Sequence, residues 1–256
     1  MTNSHIEIQA IRHATMLVTI GGRRLLVDPV FSDKGANKPH PLTRNNTTYW
    51  PLTELPVPVD ALLNVDAVLL THTHSDHFDG KAQELLPRHL PVLCQPTDAE
   101  MLHELGFDTV LPVEEATEWG GLTLHRFEGS HGKGEGKAAM GHSSGYVITD
   151  EAGESLLISG DVIYDELLQA ALDRHRPQYG VLYGGEARLV ISDPITMGVD
   201  DIVTTAGRLP DSRFAVVHME ALNHCALTRA ELRSELEAQG LADRVVVPDD
   251  GESITL

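Results

Sequence analysis

The run Thr71-His72-Thr73-His74-Ser75-Asp76-His77 concentrates more potential chemistry than any other part of this chain. Three imidazoles and one carboxylate fall between positions 72 and 77. The apolar run Ala67-Val68-Leu69-Leu70 precedes them and reads as a buried strand. In an extended chain, side chains at i and i+2 share a face, so His72 and His74 can point at one ion. A turn after the strand would swing Asp76 and His77 onto a second ion beside the first. Imidazole and carboxylate without thiolate suit zinc, and also manganese or iron. A solvated polar loop is the plain alternative. The rarity of histidine and the interleaved aspartate at a strand end weigh against it.

Three more residues each close an apolar run. His131 follows the run 122–127, Asp161 ends Leu157-Ile158-Ser159-Gly160-Asp161, and His218 ends Phe214-Ala215-Val216-Val217-His218. Singly, a strand-end histidine is an ordinary core or surface residue, and Asp161 is a candidate cap for the helix that follows it. Their weight comes from combination with the cluster at 72–77.

The elements that must position these residues are legible from periodicity. Strands are predicted at 6–13, 16–20 and 24–28, with Gly21-Gly22 as a hairpin turn between the last two. Further strands are predicted at 67–71, 91–95, 122–127, 145–149, 155–159, 179–183, 214–218, 244–247 and 253–256. Helices are predicted at 81–86, 98–105, 164–173, 199–209 and 228–239. The last opens on the capping box Thr228-Arg229-Ala230-Glu231 and closes at Gly240. Residues 32–51 carry Pro, Asn, Thr and Gly without a period, and a loop this long is usually functional or disordered. Residues 129–137 read as a mobile glycine-rich connector with no phosphate-loop signature. No linker or repeat divides the chain, so 1–256 is read as one domain. Strands dominate the first part and strand–helix alternation the second, which predicts an α/β (α+β) arrangement with helices on the outer faces of sheets.

Composition is compatible with a metal enzyme. A chain of 256 residues can bury a sizeable core. The net charge of −19 argues against general nucleic-acid binding, which needs a basic footprint. No run approaches the roughly 18 apolar residues of a membrane span. The first nine residues lack a basic region followed by an apolar stretch, so no signal peptide is read and the cytoplasm is the expected compartment. Cys94 and Cys225 form neither a metal-ligand spacing nor a disulfide framework, and Cys94 reads as a small buried apolar residue.

The ordered set His72, His74, Asp76, His77, His131, Asp161 and His218 resembles the metallo-β-lactamase superfamily pattern: His-x-His-x-Asp-His, a distant His, an Asp, and a final His. The segments His13-Ala14-Thr15, Asp28-Pro29-Val30-Phe31-Ser32, Ser159-Gly160-Asp161 and Gly184-Gly185 are most similar to its branch of L-ascorbate-6-phosphate lactonase and N-acyl-phosphatidylethanolamine phospholipase D-like proteins. Two places depart from that branch. Arg12 stands where it usually has Gly, and the stretch Val217 to His224 replaces its short His-Tyr-Gly-type ending. The resemblance implies a four-layer αβ/βα sandwich with the metals at one edge. It implies His72, His74 and His131 on one metal, Asp76, His77 and His218 on the other, and Asp161 bridging.

The chemistry follows from such a ligand set. Two divalent cations, with zinc expected first and manganese or iron as alternatives, lower the pKa of a shared water and generate a hydroxide nucleophile. No Ser or Cys nucleophile is then needed. Asp161 and Asp76 are the expected catalytic carboxylates, Asp76 also orienting the hydroxide. The expected reaction is hydrolysis of an anionic small-molecule ester, lactone or phosphodiester. A mononuclear iron dioxygenase of the same fold is the alternative. His13, by the resemblance, and His224 are expected substrate contacts. His40 reads as solvent-exposed unless the 32–51 loop folds over the site. That loop holds Lys34, Lys38 and Arg44 against one acid, Asp33, and is expected to act as a lid that binds an anion. The sequence leaves the oligomeric state open.

Overall fold

The inner strands carry apolar residues at consecutive positions because both of their faces are covered. In the strand Ala67–Leu69, Ala67 and Leu69 join the core between the two sheets, while Val68 points the other way. The same alternation sends Leu156 and Ile158 inward and Leu157 outward. The computed structural model describes residues 6–40, 42, 43, 45–190 and 192–255.

The first sheet begins as a meander of β1 (Glu7–Arg12), β2 (Thr15–Ile20) and β3 (Arg23–Val27). It continues in parallel through β4 (Ala67–Leu69), β5 (Val92–Cys94) and β6 (Val110–Pro112). The second sheet repeats this plan. A meander of β7 (Ala116–Trp119), β8 (Leu122–Gly129), β9 (Ser143–Asp150) and β10 (Ser155–Ile158) leads into parallel β11 (Tyr179–Tyr183), β12 (Arg213–Val217) and β13 (Val245–Val246). The final strand, β14 (Ser253–Thr255), returns to pair antiparallel with β1.

Helices cover the outer faces. Ala82 of α1 (Gly80–Leu85) and Leu102 of α2 (Ala99–Glu104) pack with Leu26, Val68 and Val92 of the first sheet. Leu168 and Leu172 of α4 (Glu166–His175), Ile202 of α5 (Val199–Arg208), and Leu232 and Leu236 of α6 (Arg229–Ala238) pack on Leu157, Leu182 and Val216 of the second. The result is the expected sandwich with helices outside. The capping box of Thr228 and Glu231 is present at the start of α6.

Several expectations need correction. A short helix, α3 (Gly134–Met140), stands where a flexible connector is expected. Strands β6 and β7 have no counterpart in the sequence reading. They are only three and four residues long, and β7 is a half-exposed edge. Asp161 does not cap α4. Asp165 does, accepting from the amides of Leu167 and Leu168. The described residues of the 32–51 segment have fixed partners rather than free ends. Asn37 and Trp50 exchange backbone hydrogen bonds, and Leu52 N donates to Ala221 O. Arg12, the departure from the resembling branch, holds both ends of this segment. Its guanidinium donates to the carbonyls of Val30, Ser32 and Thr53.

Candidate metal centre

The seven donor residues converge at one edge of the sandwich, just beyond the ends of β4, β8, β10 and β12. The ends of β4, β10 and β12, held by two buried faces, place a side chain with little freedom. Tight local turns then aim it. Gly160 has φ +65°, and a Cβ there would collide with the Ser144 carbonyl oxygen, so only glycine admits the turn that delivers Asp161. His13, Asp28 and His218 adopt left-handed backbone at φ 58°, 44° and 64°. Such conformations are costly for non-glycine residues and collect at functional sites. His218 N donates to His13 O, so two of these turns support each other across the two sheets.

His72, His74 and His131 form one group whose ligand atoms lie within 4.8 Å of one another, with 3.0 Å between His72 Nε2 and His74 Nδ1. Asp76, His77 and His218 form another, together with His13. Asp161 joins the two. Its Oδ2 lies 3.3 Å from His77 Nε2 and 3.4 Å from His131 Nε2, and its Oδ1 lies 3.1 Å from His218 Nε2. Asp76 Oδ2 is 3.6 Å from His77 Nε2 and 3.7 Å from His218 Nε2. Two donors at about 2.05 Å on a tetrahedral zinc stand about 3.3 Å apart, so these separations fit such an ion. His77 Nε2, Asp161 Oδ1 and His218 Nε2 are buried without a hydrogen-bond partner. Buried polar atoms rarely stay unpaired, and these point at a common ligand.

The charge pattern agrees. Burial alone would neutralise His77, but Asp161, Asp76 and Asp28 outweigh it and push its pKa up to about 10. His218 is likewise raised against burial, chiefly by Asp161. Both carboxylates are held well below their usual range despite burial, Asp76 chiefly by His77 and Asp161 chiefly by His218. The two carboxylates thus demand positive charge at this spot, and metal binding would supply it while releasing the histidine protons. Burial drives His131 the other way, down to about 4, leaving a neutral imidazole ready to ligate.

A second set of contacts orients the donors, and sequence reasoning missed its main member. Asp28 ends β3, is fully buried, and accepts from His77 Nδ1 at 2.9 Å, the Thr71 amide at 2.8 Å, the Thr71 hydroxyl at 2.7 Å and the Tyr183 hydroxyl at 2.9 Å. It fixes the His77 tautomer so that Nε2 faces the site. The His131 Nδ1 proton goes to Ile195 O at 2.8 Å. Asp28 closes an apolar strand just as Asp161 does, and that was the available signal.

A cavity of 170 Å³ opens on the donors. It is lined by His74, Ser75, Asp76, His131 and Asp161, by the apolar side chains of Met140, Leu189 and Ile195, and by His40 and His224. His40 therefore belongs to the site, contrary to its reading as a solvent-exposed residue. Its ring stacks on Trp50 and meets His224 edge-on at 4.8 Å. His224 lines the cavity as expected. His13 does not. It contacts Asp76 at 3.4 Å and packs on the His218 ring at 3.8 Å. Lys34 and Lys38 are exposed and contribute nothing to the lining, and Arg44 lies outside the described residues.

Two mixed sheets packed face to face, with imidazoles and carboxylates gathered at one edge, define a metal-dependent hydrolase of the metallo-β-lactamase fold. The chain belongs to the metallo-β-lactamase superfamily, since the family described as "Beta-lactamase superfamily domain" matches residues 23–219. It is 33% identical to the "UPF0173 protein YddR" of Bacillus subtilis over 98% of this chain and 100% of that one. Among solved structures, an isothiocyanate hydrolase from Delia radicum gut bacteria superposes with a TM-score of 0.94 at 34% identity, covering 98% of this chain and 99% of the other. A "possible metal-dependent hydrolase" of Veillonella parvula gives a TM-score of 0.95 at 32% identity, covering 99% and 100%. Among the described residues, no helix is long and apolar enough to cross a membrane.

Proposed function

We propose that this protein hydrolyses small, neutral, apolar electrophiles, isothiocyanates foremost, at a two-zinc centre. The observation that carries this reading is the cavity itself. Its floor is the donor cluster, its walls include Met140, Leu189 and Ile195, and no Lys or Arg lines it among the described residues. Beyond the metal ions themselves, no described lysine or arginine would meet an anionic substrate there, and Lys34 and Lys38 point to solvent instead. The kinship with an isothiocyanate hydrolase over nearly the whole chain supports the same choice. The motif resemblance to the lactonase and phospholipase D-like branch supports two-metal chemistry, but its anionic substrates find no counterpart in this lining.

His72, His74 and His131 would hold one ion, Asp76, His77 and His218 the other, and Asp161 would bridge them. Bound there, the ions supply a hydroxide at neutral pH and Lewis acidity toward the substrate. Asp76 lines the cavity as well as the cluster, which suits it to accept a hydrogen bond from the nucleophile and orient it. The small volume restricts the reacting group to a few heavy atoms, and the apolar wall accommodates an alkyl or aryl substituent.

The test is turnover by zinc-replete protein of benzyl and allyl isothiocyanate, followed by loss of substrate absorbance and release of amine. A matched panel of anionic esters and phosphodiesters runs beside it. Preference for the isothiocyanates by at least about tenfold in kcat/KM is expected, equivalent to about 1.4 kcal/mol of transition-state binding. Activity confined to the anionic panel would overturn this choice of substrate.

A further inference from the structure

His40 and His224 come from distant parts of the chain and share the cavity with four of the metal donors without belonging to the donor cluster. Each has a buried ring nitrogen without a partner, Nε2 in His40 and Nδ1 in His224. A histidine kept only for packing normally satisfies its ring nitrogens, so unpaired ones beside a cavity point to a ligand. The two rings are also held in place. His40 stacks on Trp50 with ring centroids 5.7 Å apart, and it meets His224 edge-on. Asn223, next to His224, donates to Thr43 Oγ1 and Asn45 O and accepts through its carbonyl from Asn45 Nδ2. The amide of Arg188 donates to His224 O at 3.2 Å. Such locking suits groups that must meet a substrate at a set angle.

We propose that His40 and His224 are the substrate-contacting pair of this cavity, and that His224 delivers the proton required by the heteroatom next to the attacked carbon. This rests on the hydrolase reading above. For an isothiocyanate, the hydroxide oxygen bonds to the central carbon and the C=N π pair moves onto nitrogen. That nitrogen takes the N–H proton of His224, while the other ring nitrogen takes a proton from water. The imidazole ends neutral as its other tautomer and resets by proton exchange with water, a hydroxide replaces the one consumed, and the net change is addition of one water to give a thiocarbamic acid. Burial lowers the His224 pKa to about 4, so the ring stays neutral at ordinary pH and adds no positive charge that would favour an anion. His40 supplies a hydrogen bond that orients the substrate.

The test uses metal-replete full-length protein and the variants His224→Ala, His224→Gln and His40→Gln. Metal content and circular dichroism are measured first, then kcat and KM on benzyl isothiocyanate and on bis(4-nitrophenyl) phosphate. The second substrate expels 4-nitrophenolate, which leaves without a proton. Loss of proton delivery costs about 100-fold or more in kcat. His224→Ala should show that loss on the isothiocyanate, with both metals retained, KM within about threefold, and recovery on adding imidazole. Its phosphodiester rate should fall at least about tenfold less than its isothiocyanate rate. Unchanged isothiocyanate kcat with both metals bound would overturn the proposal. So would equal losses on both substrates accompanied by lost metal, which would make His224 a structural residue. If wild type cleaves the phosphodiester but no isothiocyanate, the substrate reading fails while the pair remains under test with alkyl and 4-nitrophenyl esters of one acid. Selective loss on the alkyl ester in His224→Ala then supports the pair, and equal rates reject it. A two-metal wild type inactive on every substrate rejects both.

Discussion

The donor cluster and the roof above it are built by opposite means. Most donors follow strands β4, β10 and β12, whose two faces are buried, and His131 follows the half-buried β8, so the sheets themselves fix their positions. The roof is made of the described residues of 32–51 and of 219–227, tied together by loop-to-loop hydrogen bonds through Asn223 and by the small apolar group of Val30, Trp50 and Leu222. The same roof meets the loop after β11, where Val190 N donates to Leu42 O. Geometry that must be exact for the reaction is placed on the rigid element, and selection of what enters is placed on loops. Changes to the cluster should therefore remove metal and rate together. Changes to the roof should alter substrate use and leave the metals bound.

The largest effect is expected from Asp161→Ala. It removes the one carboxylate that, among the described residues, reaches donors of both groups, so one metal equivalent should be lost and turnover should fall by at least about 1,000-fold, the equivalent of about 4 kcal/mol. Unchanged circular dichroism alongside that loss would separate a ligand from a folding residue. Near wild-type turnover would remove the bridging role.

The contrast between His218 and His224 is the next sharpest test. They lie six positions apart, one at the end of β12 and one in the roof. His218→Ala should lower occupancy of one metal, read by elemental analysis, whereas His224→Ala should keep both. The reverse outcome would exchange their assignments. Asp28→Asn probes the outer contacts of the cluster, and metal affinity should drop by about 10–100-fold when the acceptor for His77 is weakened. A competition titration against a chelator measures this, and unchanged affinity would leave Asp28 as a packing residue.

Smaller effects are expected in the roof. Asn223→Ala removes hydrogen bonds worth about 1 kcal/mol each between its two segments. KM should rise several-fold with metal content intact, and metal loss instead would couple roof to cluster. The smallest effect is expected from the double change Lys34→Ala/Lys38→Ala. Neither side chain lines the cavity, so KM should move by less than about twofold on neutral and anionic substrates alike. A rise on anionic substrates alone would restore the expectation of an anion-binding lid.

The same division explains what was legible in the sequence. His72, His74, Asp76, His77, His131, Asp161 and His218 all announce themselves by ending or following apolar runs, and the structure gathers all seven. Periodicity of the long strands and helices likewise foretells the sandwich and the outer helices. Asp28 obeys the same rule but stands alone in sequence, with no neighbouring donor to draw attention to it. His40 could not be read from its surroundings, because its place depends on Trp50 and on hydrogen bonds to a segment about 180 residues away. Loop contacts of that kind have no period and no spacing. The expectation of an anionic substrate rested on the positive charge of the metals, and that of an anion-binding lid on counting charges along residues 32–51. Counting cannot tell which side of a loop faces the cavity, and both described lysines face solvent.

Metal titration of stripped protein against turnover tests the central claim most directly. Protein freed of metal by chelator is reconstituted with zinc, and activity on benzyl isothiocyanate is followed together with bound metal. Activity absent at the start and saturating near two equivalents per chain is expected, with Asp161→Ala failing to reach the second. Full activity in the stripped protein, or saturation at a single equivalent of iron with consumption of dioxygen, would contradict a two-metal hydrolase.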